Sequence, residues 1–363
     1  MAGKVTDSAV LIVEDGVPGG IQRAVEYLVD EWGDSPDAPT IKRIELRGAG
    51  NLRSSVPVFV GALLRIARQM VANRPRLIHL NVTQRGSSAR SLAVVVLARV
   101  GRVPVLLHLH SSEYESFIGG LPRPALWTMR WMFRSADRVV VLGDAWADFV
   151  HRELRVDRGR LLVLRNAVPG PACLKSDRAP GSLRLLFLGQ LGSRKGVANL
   201  LEALAQPEVA ALGWEATLAG DGDVERFHKQ AQQLGIADRV RLTGWIDRPE
   251  VERLLETSDI LVLPSYAEGL PLSLLEGLAH GLAAIATPVG AVGEVIRNEA
   301  TGLLVPPGDV AALAAALHRL ITNDELRGQL AANGRAVWER EHSVPVYARR
   351  MAALYEEIAP VPR

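Results

Sequence analysis

The feature that most constrains this chain is a recurrence. Short apolar runs, four to six residues long and rich in Val, Ile and Leu, alternate with amphipathic stretches of helical period. In the first half the runs are Ala9–Val13, Leu77–Asn81, Val103–His108, Arg138–Leu142 and Leu161–Leu164. In the second half they are Leu183–Leu188, Glu215–Ala219, Val240–Thr243, Ile260–Leu263 and Ala284–Thr287. Runs without polar alternation are the mark of strands buried on both faces. With helices between them, such as Ile21–Trp32, Val197–Gln206 and Val251–Thr257, they predict doubly wound parallel sheets. Such sheets take ligands beyond the carboxyl ends of their strands.

At 363 residues, two or three domains are expected. The aperiodic, proline-rich stretch from Asn166 to Gly181 is the natural break. The expected organisation is a first domain over 1–170, a linker over 171–182 and a second domain over 183–344. The last helical pattern, Pro345–Ile358, follows the final strand too late to join a sheet.

A composition of 48% apolar and 23% charged residues excludes disordered and fibrous classes. The purest apolar run, Leu92–Ala98, is too short to cross a bilayer. The N-terminus has no basic-then-apolar signal peptide. Cys173, the single cysteine, excludes an internal disulfide and a thiolate metal cluster. A soluble, cytoplasmic protein is the expectation.

Charge is unevenly placed. Residues 1–170 carry 23 Lys+Arg against 16 Asp+Glu, and Leu46–Ser112 holds ten arginines and no acid. That suits an anionic partner, although the scarcity of lysine, five of 42 basic residues, also fits a chain that writes arginine freely. The segment Leu121–Arg138 mixes Trp127, Trp131 and Phe133 with Arg123, Arg130 and Arg134. Either it packs its aromatics on the sheet or it lies at a membrane interface, and peripheral contact with an anionic membrane is the expectation carried forward.

Two clusters after strands of the second half carry chemistry. In Gly189–Gly196 (GQLGSRKG), a glycine-rich loop between strand and helix offers backbone N–H groups, a helix N-terminus, Arg194 and Lys195 to phosphate. In Pro264–Gly281 (PSYAEGLPLSLLEGLAHG), Glu268 sits in a loop and Pro271 near the first helical turn. The amides of Leu272 and Ser273 are then placed for a phosphate, and Glu276 for a ribose diol.

With these motifs, and with LAGDGD, RVRLTGWI, TGLLVPPGD, the HLH ending a strand and GVPGGIQRAV, the chain resembles a family 4 glycosyltransferase of the GT-B fold. The match is strongest from Leu183 to Asp309. The resemblance implies two Rossmann-like domains facing a cleft, with the C-terminal helix, within 345–363, returning to the first. It implies retaining transfer of a hexose-type sugar from a nucleoside diphosphate donor to an acceptor hydroxyl, such as a cell-envelope glycan or lipid-linked acceptor. By the same resemblance Lys195 and Arg194 hold the donor diphosphate, Arg194 replacing the family arginine whose place is taken by Gln190. Glu268, beside Gly269, meets the donor sugar, Glu276 the ribose, Leu272 and Ser273 the phosphate, and Gly244 and Trp245 the base. Gly19 and Gly20 match the glycine loop that closes on the substrates. His110 matches the histidine beside the reacting sugar, whereas His108 reads as structural and Asn166 as a hinge or turn residue.

No Asp-x-Asp pair stands apart from the Asp221–Asp223 turn, so no metal or other cofactor is expected. A nucleotide-sugar epimerase of the same fold is the alternative enzyme. A nucleic-acid-binding reading of the arginine-rich half lacks a recognition motif, and nucleic acid is not an expected partner. A retaining glycosidase would need Glu268 and Glu276 about 5 Å apart across one sugar, at odds with their setting among phosphate-binding features.

Overall fold

The structure, a computed structural model, describes residues 9–16, 19–33, 38–48, 52–171 and 182–360. Cys173 and most of the expected linker lie outside them. The chain forms two compact units, Met1–Asn166 with Val344–Arg363, and Ala167–Ser343.

Among the described residues each unit is built on one parallel sheet of six strands. In the first unit these are β1 (Val10–Glu14), β2 (Ile41–Glu45), β3 (Leu77–Val82), β4 (Val105–Leu109), β5 (Arg138–Val141) and β6 (Leu161–Val163), in the order β2-β1-β3-β4-β5-β6. Its helices are α1 (Gly20–Trp32), α2 (Leu52–Ala72), α3 (Gly86–Val100), α4 (Tyr114–Gly119), α5 (Arg123–Ser135) and α6 (Asp144–Leu154). In the second unit the strands are β7 (Leu183–Leu188), β8 (Trp214–Ala219), β9 (Val240–Gly244), β10 (Ile260–Leu263), β11 (Ala283–Ala286) and β12 (Leu303–Leu304), in the order β12-β11-β10-β7-β8-β9. The helices continue with α7 (Val197–Leu204), α8 (Pro207–Ala210), α9 (Val224–Gln233), α10 (Arg248–Thr257), α11 (Leu272–Ala279), α12 (Val292–Val295), α13 (Val310–Thr322) and α14 (Asp324–Val337). Both are doubly wound sheets, and each has a point where strand order reverses: between β1 and β3, and between β7 and β10.

Central strands β1, β3, β4 and β10 are buried at every position. Two edge strands escape an apolar-run reading. β2 (IKRIE) buries only Ile44 and keeps its charged residues toward solvent, as an edge strand must to discourage pairing with another chain. β12 is only two residues long.

The last helix, α15 (Val344–Ile358), belongs to the first unit. It buries Tyr347, Met351, Leu354 and Tyr355, and packs on α1, where the Trp32 and Tyr355 rings lie 5.9 Å apart. Residues 167–170, expected in the first domain, fold instead with the second. Val168 N–H donates to His342 O (3.0 Å), Trp338 Nε1 donates to Val168 O (3.1 Å), and Gly170 lies so near the Trp338 ring that a Cβ there would come within 2.3 Å of it.

Because Met351 is fully buried, Met351→Ala is expected to destabilise the first unit by about 2–5 kcal/mol. Hydrogen exchange then speeds up in β1 and β3 but not in β7 and β8. Equal acceleration in both sheets would contradict the assignment of α15 to the first unit.

Candidate functional site

In the second unit β10, β7, β8 and β9 are neighbours, so the loops leaving their carboxyl ends stand side by side. The loop after β7 closes with a 3-10 turn, Ser193–Lys195, into Gly196 and α7. Gly196 has φ +68°, and a Cβ there would come within 2.0 Å of Pro264 O. Only glycine lets this loop rest on the start of the β10 loop. A second glycine does the same on the other side: Gly290, φ +58°, would place a Cβ 2.0 Å from Glu268 O. Beside it Ala291 N–H donates to Gly269 O (2.8 Å), and Thr287 Oγ1 donates to Ser265 O (2.5 Å).

This packing brings Arg194, Lys195 and Glu268 together. Lys195 Nζ donates to Glu268 Oε1 (2.5 Å), and Ser265 Oγ donates to the same oxygen (2.7 Å). Arg194 donates to Ala267 O (2.9 Å) and lies 3.9 Å from Glu268 Oε2. Glu268 is buried, and these cations and the hydroxyl give its carboxylate the partners that burial demands. The Lys195–Glu268 pair spans the reversal point between β7 and β10, where α/β sheets bind ligands.

Gln190 and Gly244 are joined to this edge through backbone. Gly189 N–H donates to Ala219 O (2.9 Å) and Gly220 N–H to Gly244 O (3.0 Å), while Gln190 stands beside Gly220. Trp245, next after β9, is exposed. Pro271 precedes α11, whose first residues are Leu272 and Ser273. The first amides of a helix have no acceptor within it, and the macrodipole adds positive potential there.

Glu276, one turn into α11, is almost wholly buried and accepts from Arg248 Nη1 at 2.6 Å. Arg248 opens α10 and also pairs with Glu252. His280 completes the group through Glu276 O (2.8 Å) and Glu252 Oε2 (3.0 Å). The His280 hydrogen bond and the Arg248 charge hold the Glu252 carboxyl below its ordinary range, against the opposing effect of burial. Arg248 and His280 were not singled out by sequence reading. His280 lies four residues after Glu276, a helical neighbour visible in the spacing, whereas Arg248 comes from a distant helix and carries no local signal.

In the first unit His110 leaves β4 with its N–H on Val82 O (3.0 Å) and Nε2 2.8 Å from Asn81 Oδ1. Its ring lies 3.9 Å from that of His108. His108 Nδ1 is 3.2 Å from His79 Nε2, and His79 Nδ1 is 2.7 Å from the Tyr355 hydroxyl. A column of imidazoles thus runs from α15 to the carboxyl end of β4. Burial pushes His79 and His110 down to about 3, and His108 well below its ordinary value. All three are therefore neutral at neutral pH. His79 and Asn81, also missed by sequence reading, share one face of β3 and flank the same-face pair in β4; the two alternations, His-Leu-Asn and His-Leu-His, are their signal. Gly19 and Gly20 start α1 and are exposed, the two residues before them lying outside the described set. Asn166 is buried where the chain leaves the unit. Among the described residues no group of three or more His, Cys, Asp or Glu is placed to hold a metal ion.

The family model for glycosyl transferases group 1 matches residues 175–337, and that for a glycosyl transferase 4-like domain matches residues 19–167. Among curated proteins, the alpha-D-kanosaminyltransferase of Streptomyces kanamyceticus is 27% identical over 75% of this chain and 75% of its own. The glycogen synthase of Mycobacterium tuberculosis is 29% identical over 62% of this chain and 56% of its own. Among solved structures, Anabaena HepE in complex with UDP and glucose superposes with a TM-score of 0.76 at 17% identity, over 96% of this chain and 100% of that one.

The buried histidines make stability depend on pH. Their folded pKa values lie below the unfolded value of about 6.5, so both states are neutral above pH 7 and stability is lost as pH falls through 6.5. His79, His108 and His110 together contribute ~4 kcal/mol per pH unit below that point. Denaturant midpoints at pH 7.5, 6 and 5 measure the loss, and His79→Gln should cut the slope by about a third. A midpoint unchanged down to pH 5 would refute it.

Proposed function

The chain belongs to the family 4-like glycosyl transferases of group 1, and from that premise we propose that it moves a hexose-type sugar from a nucleoside diphosphate donor to an acceptor hydroxyl with retention. The observation that carries this reading is the Lys195–Glu268 pair, held across the reversal point of the second sheet beside the amino end of α11.

In this reading the anomeric C–O bond breaks and its electron pair remains on the leaving diphosphate. Negative charge grows there, and Lys195, Arg194 and the Leu272 and Ser273 amides stabilise it. Lysine has three donors, so Lys195 can keep Glu268 and still reach a phosphate oxygen. Glu268, so anchored, accepts from hydroxyls of the donor sugar. Glu276 accepts from the ribose diol, with Arg248 setting its orientation, and Gly244 and Trp245 flank the base. The acceptor oxygen attacks from the face the leaving group departs, and its proton passes to a phosphate oxygen. His110, neutral and oriented by Asn81, hydrogen-bonds a sugar or acceptor hydroxyl. Charge on the leaving group is met by side chains and amides, so the proposed reaction uses no metal. HepE was solved with UDP and glucose and the Streptomyces relative is a kanosaminyltransferase, which supports a nucleotide-linked sugar as donor. A cell-envelope glycan or lipid-linked molecule is the proposed acceptor class.

A thermal-shift panel of UDP, GDP, ADP and dTDP tests the donor site. One nucleotide at ~100 times its dissociation constant should add ~2.7 kcal/mol of stability, and Lys195→Ala and Glu276→Ala should abolish the shift. With the matching sugar nucleotide, Lys195→Ala is expected to lower turnover by about 100- to 1000-fold, and EDTA to leave it unchanged. No shift with any nucleotide, or conversion of the donor to an epimer without acceptor, would overturn the proposal.

A further inference from the structure

Three helices of the first unit lie side by side in one outer layer. α2, α3 and α5 follow β2, β3 and β4 as the chain steps across the sheet in one direction, and right-handed crossovers put all three on the same face. α2 packs on α3, and α3 on α5. Between them these three contain no Asp or Glu, whereas α6, which extends the layer beyond α5, carries Asp144, Asp148 and Glu153.

What this layer turns to solvent is unusual. On α2, Val56, Val60, Leu64 and Val71 form a single stripe at helical spacing, with Leu64 66% and Val71 90% exposed. Val96 and Val100 continue it on α3, Val100 being 78% exposed. On α5, Met129, Met132 and Phe133 face the core, whereas Trp127 (69% exposed) and Trp131 face out. Arg65 and Arg68 border the α2 stripe, and among the described residues neither has an ion-pair partner. At the carboxyl ends of α3 and α5 lies a pocket of about 300 Å³ with Arg99, Arg134, Arg138 and Arg160 in its wall. Among the described residues only Arg138 of these four has an ion-pair partner, Glu357 at 2.5 Å; Glu357 and Asp137, which accepts from the Val105 N–H, are the acids in the wall.

We propose that the α2–α3–α5 face lies on an anionic phospholipid bilayer, its valines and tryptophans entering the headgroup layer and its arginines meeting lipid phosphates. The charge fits that partner and disfavours another copy of this chain, since a two-fold interface would set one arginine-bearing, acid-free face against its own image. By length and composition Ser55–Ala72 could cross a membrane, unlike any run picked out from the sequence. Its place in the layer, with Ala62 and Ile66 buried, makes it a helix that lies on the surface instead. This inference is independent of the donor chemistry.

The test is flotation of the full chain with phosphatidylcholine vesicles, with and without phosphatidylglycerol. The wild type should float only with the anionic vesicles. At about fivefold per arginine near such a surface, Arg65→Gln with Arg68→Gln should lower the partition by roughly tenfold or more, and Leu64→Glu with Val71→Glu should abolish it. All four side chains are exposed, so melting temperatures should stay the same and exclude unfolding as the cause. No flotation, or flotation that neither double variant reduces, would overturn the proposal. So would a dimer in sedimentation velocity that the glutamate variant dissolves without any vesicle binding. Binding to single-stranded RNA that only the arginine variant weakens, in a chain that does not float, would assign the face to nucleic acid.

Discussion

A parallel sheet covered by helices on both faces leaves little but its strand ends open to water, and this constraint arranges everything else in the molecule. Interior positions of β1, β3, β4 and β10 are apolar or internally paired, so charged chemistry has to collect in loops and at helix ends. In the second unit it does so over four adjacent strands. The buried carboxylates there, Glu268 and Glu276, each have a cation from a different element, Lys195 and Arg248. A buried carboxylate without such a partner would cost several kcal/mol, so the contacts that satisfy these acids also hold the loops in register.

The first unit solves a related problem with neutral groups. His79, His108 and His110 occupy positions that would exclude a charge, and their desolvation keeps them uncharged. Contact with Tyr355 ties this column to the last helix of the chain, so a segment remote in sequence braces the strand end where His110 emerges. The acid-free helices α2, α3 and α5 on the opposite side of that sheet are a third arrangement, in which charge such as that of Arg65 and Arg68 is left at the surface instead of being paired or suppressed.

Much of this was legible in the sequence, and the exceptions have physical reasons. Ten strands were visible as apolar runs because burial on both faces demands such runs, whereas β2 and β12 sit at edges, where burial is partial and charge is tolerated. The glycine loop and the Glu268–Glu276 segment could be read because each is contiguous. Arg248 could not, since its pairing with Glu276 joins two helices 28 residues apart. His79 and Asn81 were hidden in an ordinary strand pattern until β3 was seen next to β4. The domain break was placed within the proline-rich stretch, but residues 167–170 went with the second unit because Trp338 and His342, far along the chain, supply their partners.

The two close approaches at Gly196 and Gly290 have a consequence for anyone who would re-engineer this sheet edge. Backbone rests directly on backbone there, so the β7 loop, the β10 loop and the segment from Thr287 to Ala291 interlock as one piece. A loop grafted alone from another sheet would meet carbonyl oxygens it was not shaped for, however suitable its side chains. Exchange of specificity at this edge therefore has to move all three segments together, and variation confined to one of them will be limited to side chains pointing away from its neighbours.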